Sequence, residues 1–451
     1  MKILFIIKDF IVEPLGIMYL STGLKSAGHR VDVVKGDIEN VEDKVRDFSP
    51  DIIAYSIMTG DHIFFRDLNL KLKDKFKFIA IFGGSHPTFF NEFINEKGVD
   101  IICLGEGEEA IVELADRLKE GKSFTDVPNL WVKNKEGVIK NQIRPLADID
   151  SIPFPDRELL YSKYPQSRNN RIKNFIGVRG CPYNCSFCYN HRLQEIYRGK
   201  GQYARTRSAD NLIQEILELK SKYPLEVIYF QDDTFGIDIN WMEEFSKKYR
   251  KIINIPFHCN QRADLLTEKK VSLLKGAECF GVSVAIEAAN DYLRNQILEK
   301  NITKEHIIQA IKFLKKAGLR IRTYNILGIP NGSLRDDFET LKFNILLKPD
   351  LPYVTIYQPY PGTKLGDWCI QKGLYNGNYD KILESSYFGE SPLDIPDKNK
   401  VNNLHKLFNL TVSFPFLAPI TKILINLPPN ALFKKIHSFW RGRLNEKLYK
   451  T

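Results

Sequence analysis

The first 125 residues alternate between short apolar runs and segments whose apolar positions recur every three to four residues. Apolar runs that end at glycine predict buried strands, whereas the three-to-four spacing predicts amphipathic helices. Strands are predicted at 2–7, 31–34, 52–56, 78–82 and 101–104. Helices are predicted at 17–27 and 61–73. This alternation predicts a doubly wound, Rossmann-like parallel sheet, whose ligands bind at the carboxyl ends of the strands.

A second alternating series occupies residues 171–365. Its strands are predicted at 174–178, 226–231, 257–260, 281–286, 320–327 and 353–357. Its helices are predicted at 210–222, 242–249, 268–275, 304–316 and 335–347. Six strands with helices between them predict a partial (β/α)6 barrel of the TIM type, with its chemistry at the carboxyl ends of the strands.

The predicted domains are a Rossmann-like domain at 1–140, a proline-rich linker at 141–170, the barrel at 171–365 and a mainly helical region at 366–451. A small hairpin is predicted around 131–141.

The helical region contains an apolar stretch that is broken by Pro415 and Pro419. One interpretation is a helical cap whose apolar side chains pack inward, and the other is a peripheral membrane face beside a basic tail. The cap is favoured, because amphipathic core helices are far commoner.

Composition narrows the class of protein. With 451 residues, 43% of them hydrophobic and 27% charged, the chain is typical of a folded protein of two or three domains. The net charge is +10, and basic residues are scattered along the chain except for a cluster near the C-terminus. Runs that mix aromatic and basic residues do not occur, which argues against a nucleic-acid partner. Charged residues soon interrupt the first apolar run, which is unlike a signal peptide, and no apolar run is long enough to predict a transmembrane helix. We therefore expect a cytoplasmic protein, in which clustered cysteines are metal ligands rather than disulfides.

Cys181, Cys185 and Cys188 form the strongest chemical signal in the chain. They fall within eight residues, directly after a predicted strand, and thiolates are the ligands of iron–sulfur clusters and of zinc. Three thiolates fill three irons of a 4Fe–4S cube and leave the fourth iron open. A structural zinc site with a distant fourth ligand, such as His191 or Cys259, is the alternative, although no second cysteine pair exists to complete it.

The pattern CxxxCxxC with Phe187 before the last cysteine resembles the signature loop of radical S-adenosylmethionine (SAM) enzymes. The resemblance implies that the three cysteines hold a 4Fe–4S cluster, that SAM chelates its open iron, and that an electron from the cluster cleaves SAM to a 5′-deoxyadenosyl radical. Phe187 is expected to contact SAM.

Later strand ends extend this resemblance to the superfamily's SAM-binding positions. Asp232 and Asp233 correspond to the acidic strand end that binds the SAM amino group. Glu287 corresponds to the residue that meets the ribose and carboxylate, and Gly328 with Pro330 to the turn near adenine. The alternative for the aspartates is a solvated loop or a helix cap.

Two further segments complete the match in the barrel. Arg262 follows the third strand, in a region that faces the active site in this superfamily. Residues 358–363, with the sequence QPYPGT, resemble a segment common in the cobalamin-dependent branch.

The first domain resembles the cobalamin-binding module that precedes the barrel in that branch. The residues expected to contact cobalamin are Gly16, Gly83, Gly84, Gly105 and Glu106. Glu13 stands where other cobalamin proteins place a histidine that binds cobalt, so no histidine ligation is expected. His86 is expected to be a hydrogen-bonding loop residue.

The resemblance implies methylation of an unactivated carbon, or of phosphorus, on a small-molecule or lipid substrate, with 4Fe–4S cluster, SAM and cobalamin as cofactors and a flavodoxin or ferredoxin as electron donor. A non-methylating cyclase, rearrangement or oxidation enzyme is the first alternative. A non-catalytic iron–sulfur protein of electron transfer, which does no SAM chemistry, is an alternative from another class. The motifs assign no further catalytic residue and no oligomeric state.

Overall fold

The computed structural model describes residues 1–10 and 12–449, which divide into two compact units. The first unit comprises Met1–Asn174, Arg192–Tyr203 and Lys222–Pro224. The second comprises Phe175–His191, Ala204–Ser221 and Leu225–Thr451.

The first unit contains a seven-stranded sheet. Its strands are β1 Lys2–Ile7, β2 Arg30–Lys35, β3 Ile52–Ser56, β4 Ile79–Gly83, β5 Ile101–Cys103, β6 Leu130–Asn134 and β7 Gly137–Lys140. The order is β2-β1-β3-β4-β5-β6-β7, and the first five strands are parallel. The predicted parallel sheet is confirmed, and the hairpin β6–β7 extends it in antiparallel fashion. The strand order reverses between β1 and β3, where open sheets of this kind bind ligands.

Seven helices belong to this part of the chain. They are α1 Leu15–Ser26, α2 Val41–Phe48, α3 His62–Lys73, α4 Ser85–Phe89, α5 Glu108–Lys119, α6 Glu158–Tyr161 and α7 Pro165–Asn169. The predicted helices at 17–27 and 61–73 correspond to α1 and α3. Sequence patterning missed α2, an eight-residue helix with only two buried apolar residues, Val41 and Val45, whose first turn is capped by the Asn40 side chain.

The second unit is built on a six-stranded sheet. The strands from here on are β8 Ile172–Phe175, β9 Val178–Arg179, β10 Arg205–Thr206, β11 Val227–Phe230, β12 Phe257–Gln261, β13 Cys279–Glu287, β14 Arg320–Leu327 and β15 Leu351–Ile356. The order is β15-β14-β13-β12-β11-β8, so β8 and β15 are edges and the predicted partial barrel is confirmed. The short β9 and β10 form a separate antiparallel pair.

The remaining helices follow these strands. They are α8 Asn190–Ile196, α9 Ala209–Lys222, α10 Ile239–Ile252, α11 Glu268–Gly276, α12 Lys304–Lys316, α13 Leu334–Leu347, α14 Lys364–Gln371, α15 Lys398–Ser413, α16 Ala418–Leu424 and α17 Ala431–Tyr449. Helices α9 to α13 occupy the five predicted positions between the barrel strands.

The two faces of the barrel sheet differ in chemistry because strand side chains alternate. Phe257 packs against Phe245 and Tyr249 of α10 on one face, which is the apolar helix-covered side. The next residue, His258, points to the other face and stacks on Tyr229 with ring centroids 5.0 Å apart. The concave interior of the barrel is therefore polar and aromatic, as a site for chemistry requires.

The C-terminal region is mainly helical, as predicted. The apolar side of α15 packs inward, with Leu404 and Phe408 against Val354 of β15, as the cap interpretation requires. Phe416 and Ile423, however, leave 74% and 72% of their surfaces exposed. Within the described residues, no helix combines the length and the apolar character that crossing a membrane would need.

Gly84, directly after β4, offers a test of the first unit. Its φ is +96°, and a Cβ at this position would lie 2.6 Å from the carbonyl oxygen of Ile57. We expect Gly84→Ala to lower the free energy of unfolding by about 2 kcal/mol, because strained backbone and a clash both act there. Urea denaturation measures the change.

The matched control is Gly16→Ala in α1, where a Cβ would have no neighbour within 4 Å. Its stability should be unchanged or slightly raised, since alanine favours helix. Equal unfolding curves for the two variants would contradict the close approach at Gly84.

Candidate active site

The loop that carries the three cysteines follows β9 at the mouth of the partial barrel. Cys181 and Cys185 are buried and Cys188 is half-buried. Ser186, between them, anchors the loop three times. Its N–H donates to the Leu298 carbonyl at 3.0 Å, its Oγ donates to the Ile297 carbonyl at 2.5 Å, and its carbonyl accepts from the Leu365 N–H at 3.0 Å.

Polar groups surround each cysteine sulfur. A guanidinium nitrogen of Arg262 lies 3.8 Å from Sγ of Cys185, Nδ2 of Asn190 lies 3.3 Å from Sγ of Cys188, and the Thr234 hydroxyl lies 3.9 Å from Sγ of Cys181. Donors of this kind stabilise thiolates and tune the potential of an iron–sulfur cluster. Burial raises the pKa of the Cys188 thiol to about 12, so the thiolate forms only when a metal displaces the proton.

Three closely spaced thiols suit the three irons that protein thiolates would bind in a 4Fe–4S cluster. Among the described residues, no three histidine, cysteine or carboxylate side chains lie close enough to ligate one metal ion. In a 4Fe–4S cube each thiolate binds a different iron, so its sulfurs stand further apart. Of the proposed zinc ligands, Nε2 of His191 accepts from the Lys364 N–H at 3.3 Å, and Cys259 is buried within β12.

The two adjacent aspartates after β11 have different surroundings. Asp232 is buried, and its Oδ1 accepts from the N–H groups of Gly177 at 2.7 Å and Val178 at 3.0 Å. It therefore holds the strand that leads into the cysteine loop, and burial raises its pKa to about 7. Asp233 is exposed and accepts from Nδ2 of Asn190 at 3.0 Å, so its carboxylate is the one that can meet a bound ammonium group.

Glu287 ends β13 in a left-handed conformation, with φ of +64° at a shift in strand register. Such strain is uncommon for a residue with a side chain and concentrates at functional sites. The buried carboxylate pairs with Nζ of Lys300 at 2.9 Å, and this ammonium lies 6.0 Å from the ring of Phe187. Phe187 and Glu287, which are far apart in sequence, thus meet at Lys300.

Lys300 is a site residue that the sequence motifs did not reveal. It follows the turn Leu293–Ile297, whose five-residue hydrogen-bond spacing widens the helix, and no motif marks that turn. Its carbonyl accepts from the guanidinium of Arg262 at 2.9 Å, and that guanidinium stacks 3.5 Å from the ring centroid of Tyr183 in the cysteine loop. Arg262 therefore lies in the site, beside the cysteine loop.

Gly328 and Pro330 lie at the carboxyl end of β14. Gly328 has φ of +64°, and a Cβ there would lie 3.0 Å from Cδ1 of Ile395. Its N–H donates to the buried carboxyl group of Asp337 at 3.1 Å. The turn is thus held by Asp337, a second residue that the motifs did not indicate, and Pro330 is buried next to it.

The QPYPGT segment lies beside the cysteine loop. The ring of Tyr360 is 5.8 Å from that of Tyr189, the residue after Cys188. The Thr363 hydroxyl caps α14 by accepting from the Gly366 N–H at 3.1 Å.

In the first unit, the residues expected to contact cobalamin lie after different strands. Gly83 and Gly84 end β4, next to the point at which the strand order reverses, and Gly16 opens α1. Gly105 and Glu106 follow β5, further along the sheet.

Tyr197 covers the turn after β5. Its hydroxyl accepts from the Glu106 N–H at 2.7 Å, and a side chain at Gly105 would collide with it. The glycine at 105 is thus explained by this tyrosine and by its own left-handed backbone, with φ of +70°.

Glu13 and His86 have partners within the first unit. The buried carboxylate of Glu13 pairs with the guanidinium of Arg157 at 2.7 Å and accepts from the Tyr161 hydroxyl. His86 lies in the short helix α4 rather than in a loop, and its Nδ1 is 2.9 Å from the Thr59 hydroxyl. Burial lowers the pKa of His86 to about 2, so the imidazole is neutral.

Comparison with protein families agrees with both units. The profile of the Radical SAM superfamily matches residues 175–343, and that of the B12 binding domain matches residues 1–115. The chain is a radical SAM enzyme with a B12-binding domain. Its cofactors are accordingly SAM with a 4Fe–4S cluster, and cobalamin.

Several named proteins are similar to this chain over most of its length. The enzyme is 28% identical to an uncharacterized methyltransferase of Pyrococcus horikoshii, over 80% of this chain and 79% of the relative. It is 21% identical to a cytidylyl-2-hydroxyethylphosphonate methyltransferase of Streptomyces wedmorensis, over 88% of this chain and 85% of that protein. It is 26% identical to an anaerobic magnesium-protoporphyrin IX monomethyl ester cyclase of Rubrivivax gelatinosus, over 78% of this chain and 65% of that protein.

Solved structures show the same fold. The radical SAM methyltransferase TsrM of Kitasatospora setae superposes with a TM-score of 0.68 at 16% identity, covering 82% of this chain and 76% of TsrM. The cobalamin-dependent radical SAM enzyme OxsB superposes with a TM-score of 0.70 at 17% identity, covering 99% of this chain and 72% of OxsB.

Asp337 provides a pH test of the turn at Gly328. Burial raises the pKa of its carboxyl group to about 8, well above the ordinary 3.8. Between these values Asp337 is protonated in the folded enzyme and ionised in the unfolded chain, so its contribution to stability falls as the pH rises from 4 to 8. We expect Asp337→Asn to remove this decline, because an amide oxygen still accepts from Gly328 without titrating.

Urea unfolding at pH 5 and pH 8 measures the effect, with Glu339→Gln on the same helix as control. The same pH dependence in wild type and Asp337→Asn would show that Asp337 is ionised in the folded state.

Proposed function

We propose that the enzyme methylates an unactivated carbon, or phosphorus, of a small-molecule or lipid substrate. The observation that carries the proposal is a loop with three thiols at the mouth of a partial barrel, in the same chain as a B12-binding domain. When bound, SAM and the cluster supply a radical that removes a substrate hydrogen, and cobalamin carries the methyl group.

In this proposal the cofactor residues have distinct tasks. Cys181, Cys185 and Cys188 hold the cluster and leave one iron to SAM. The exposed carboxylate of Asp233 accepts from the SAM ammonium, while Asp232 positions the loop from behind. Support for this division comes from the exposure of the Asp233 carboxylate and from the two backbone donors to Oδ1 of Asp232.

The pair of Glu287 and Lys300 forms the opposite wall of the proposed SAM site. Lys300 beside Phe187 offers a cation for the SAM carboxylate, and Glu287 sets its position. Gly328 and Pro330 supply a flat backbone surface for adenine, which Asp337 holds in place.

For cobalamin we propose the carboxyl ends of β1, β3 and β4 as the binding edge. Gly83 and Gly84 allow close backbone approach there, and Gly16 has open space around it. Gly105 and Glu106 would form the rim. We infer that the protein supplies no histidine to cobalt, because Glu13 stands where other cobalamin proteins place that histidine, and its carboxylate pairs with Arg157 and Tyr161.

The domain limits of 1–140, 141–170, 171–365 and 366–451 remain our proposal. A cytoplasmic enzyme of this kind also needs a one-electron donor, for which we propose a flavodoxin or ferredoxin.

A non-methylating outcome is the second candidate, since the Rubrivivax relative is a cyclase. Methylation adds one methylene mass to the substrate and yields S-adenosylhomocysteine, whereas cyclisation or oxidation yields neither.

The cluster assignment is tested by anaerobic reconstitution with iron, sulfide and cobalamin. We expect wild type to bind about four irons and to release 5′-deoxyadenosine from SAM under reduction. Cys185→Ala should lose both, because two thiolates cannot retain the cube. Cys103→Ala, in β5 of the first unit, is the matched control and should keep both.

Iron analysis and mass spectrometry provide the readouts. Stable cluster binding without any 5′-deoxyadenosine would instead support an electron-transfer protein, and zinc in place of iron would end the proposal.

We further propose that the C-terminal region touches the membrane surface. Between 414 and 449, large apolar side chains face solvent, among them Phe416, Ile423, Leu432 and Phe439, the last two 63% and 60% exposed. The same segment carries six lysines and arginines against a single glutamate. Exposed apolar side chains ringed by cations fit an anionic lipid surface.

Vesicle sedimentation tests this contact. We expect wild type to bind vesicles that contain phosphatidylglycerol. The double variant Phe416→Ser with Ile423→Ser should reduce binding about tenfold, because the two apolar side chains that insert into the lipid would be lost. Leu346→Ser, on an equally exposed leucine of α13, is the control. Absence of wild-type binding, or a dimer held by this face, would overturn the membrane contact.

A further inference from the structure

The open edge of the partial barrel is lined by basic side chains from the C-terminal helices. His405 of α15 is buried, and its Nε2 lies 3.1 Å from the carbonyl oxygen of Val354 on the edge strand β15. The ring of His437 of α17 lies 4.7 Å from that of His405. Together with Lys406 and Arg441, these residues form what we call the cationic wall.

The wall holds two cations without a carboxylate partner. Lys406 is only 4% exposed, and the guanidinium of Arg441 stacks 4.2 Å from the ring centroid of Phe388. In the part of the chain that the structure describes, no carboxylate lies within ion-pair distance of either cation. Partly buried positive charge of this kind is costly unless an anion joins it.

The pKa values of both imidazoles are lowered by burial and by nearby positive charge. Burial, followed by the charge of Arg441, lowers the pKa of His437 to about 4. Burial together with His437 lowers the pKa of His405 to about 3, and Lys406 and Arg441 add to the effect. Arg441 follows His437 by one turn of α17 and Lys406 directly follows His405 on α15, so both cations lie next to the paired rings.

Two buried side chains, one on α15 and one just after β15, carry polar atoms without a hydrogen-bond partner. Asn402 precedes Lys406 by one helical turn, so the two share a face of α15. Asn402 is 1% exposed, and neither atom of its amide has a hydrogen-bond partner. Oε1 of Gln358 is likewise buried without a partner, while its Nε2 donates to the Glu390 carbonyl. Buried polar groups nearly always have partners, so these mark a place for a polar ligand.

An aromatic surface leads from the wall into the barrel. The half-buried ring of Phe388 lies 5.4 Å from that of Tyr353, which in turn lies 5.3 Å from Tyr324 on the concave face. There the Tyr324 hydroxyl meets Asn260 and the Tyr229 hydroxyl at 3.3 and 3.4 Å. A ligand anchored at Arg441 can thus extend over aromatic rings toward the interior.

We propose that the cationic wall binds the carboxylate or phosphate of the substrate, whose apolar or unsaturated body lies over Phe388 and Tyr353. The inference rests on the proposed function, because it assigns a substrate class to the same barrel. The planar guanidinium of Arg441 makes paired hydrogen bonds to two oxygens of the anion, and Lys406 adds charge from behind.

Calorimetric titration with inorganic phosphate tests the wall. The reconstituted enzyme is kept saturated with SAM and cobalamin at constant ionic strength, so that cofactor sites are filled. We expect saturable binding by wild type and about tenfold weaker binding by Arg441→Gln, because a charged partner is lost. Lys406→Met, which keeps the apolar stem, should weaken binding similarly.

Arg443→Gln is the matched control, since Arg443 is an exposed cation two residues further along α17. It should bind phosphate as wild type does. Absence of saturable binding, or equal affinity of Arg441→Gln and wild type, would overturn the proposal. Failure of the same preparation to release 5′-deoxyadenosine would instead refute the proposed function, so the two failures are distinguishable.

A second arm identifies the source of the anion. Dihexanoyl phosphatidic acid, titrated as a monomer, should bind more tightly than phosphate if the natural ligand is a lipid headgroup. Equal or weaker binding assigns a free metabolite. Either result supports the cationic wall, provided that Arg441→Gln binds both phosphate and dihexanoyl phosphatidic acid more weakly than the control Arg443→Gln does.

Discussion

The hydrogen bonds that hold the cysteine loop at the barrel mouth are the constraint on which the rest of the site depends. Ser186 fastens the loop to the carbonyls of Leu298 and Ile297, and Asp232 fastens the strand that leads into it. A loop held in this way presents three sulfurs in a fixed arrangement and can hold a cube with one iron left open. Without these contacts the three cysteines would lie on a mobile turn, and their sulfurs would have no fixed spacing.

Charge is distributed around this loop in separate pairs. Glu287 balances Lys300 on one side, and Arg262 contacts the Cys185 sulfur, Tyr183 and the carbonyl of Lys300 on the other. Asp233 remains exposed for a cationic ligand group. The concave face beyond carries aromatic rings. Beside the edge strand β15, the helices α15 and α17 carry Lys406 and Arg441, which have no carboxylate partner among the described residues. In our proposal the cluster and SAM residues and the cationic wall therefore all belong to the second unit.

Sequence patterning predicted the parallel sheet, the order of barrel strands and the cysteine loop, because each depends on local spacing. It missed α2, which has only two buried apolar residues, and it placed His86 in a loop where the chain forms a short helix. Lys300 and Asp337 were out of reach, since their roles arise from contacts with Glu287 and Gly328 that no motif encodes. The cationic wall was also invisible, because its residues come from two helices that meet only in the fold.

The central claim is that three cysteines leave one iron of the cluster open to SAM. Electron paramagnetic resonance of the reduced, reconstituted enzyme, recorded with and without SAM, tests it most directly. The account predicts a 4Fe–4S signal whose g values shift when SAM binds the open iron. A cluster signal that SAM leaves unchanged would show that all four irons are already ligated and would contradict the account.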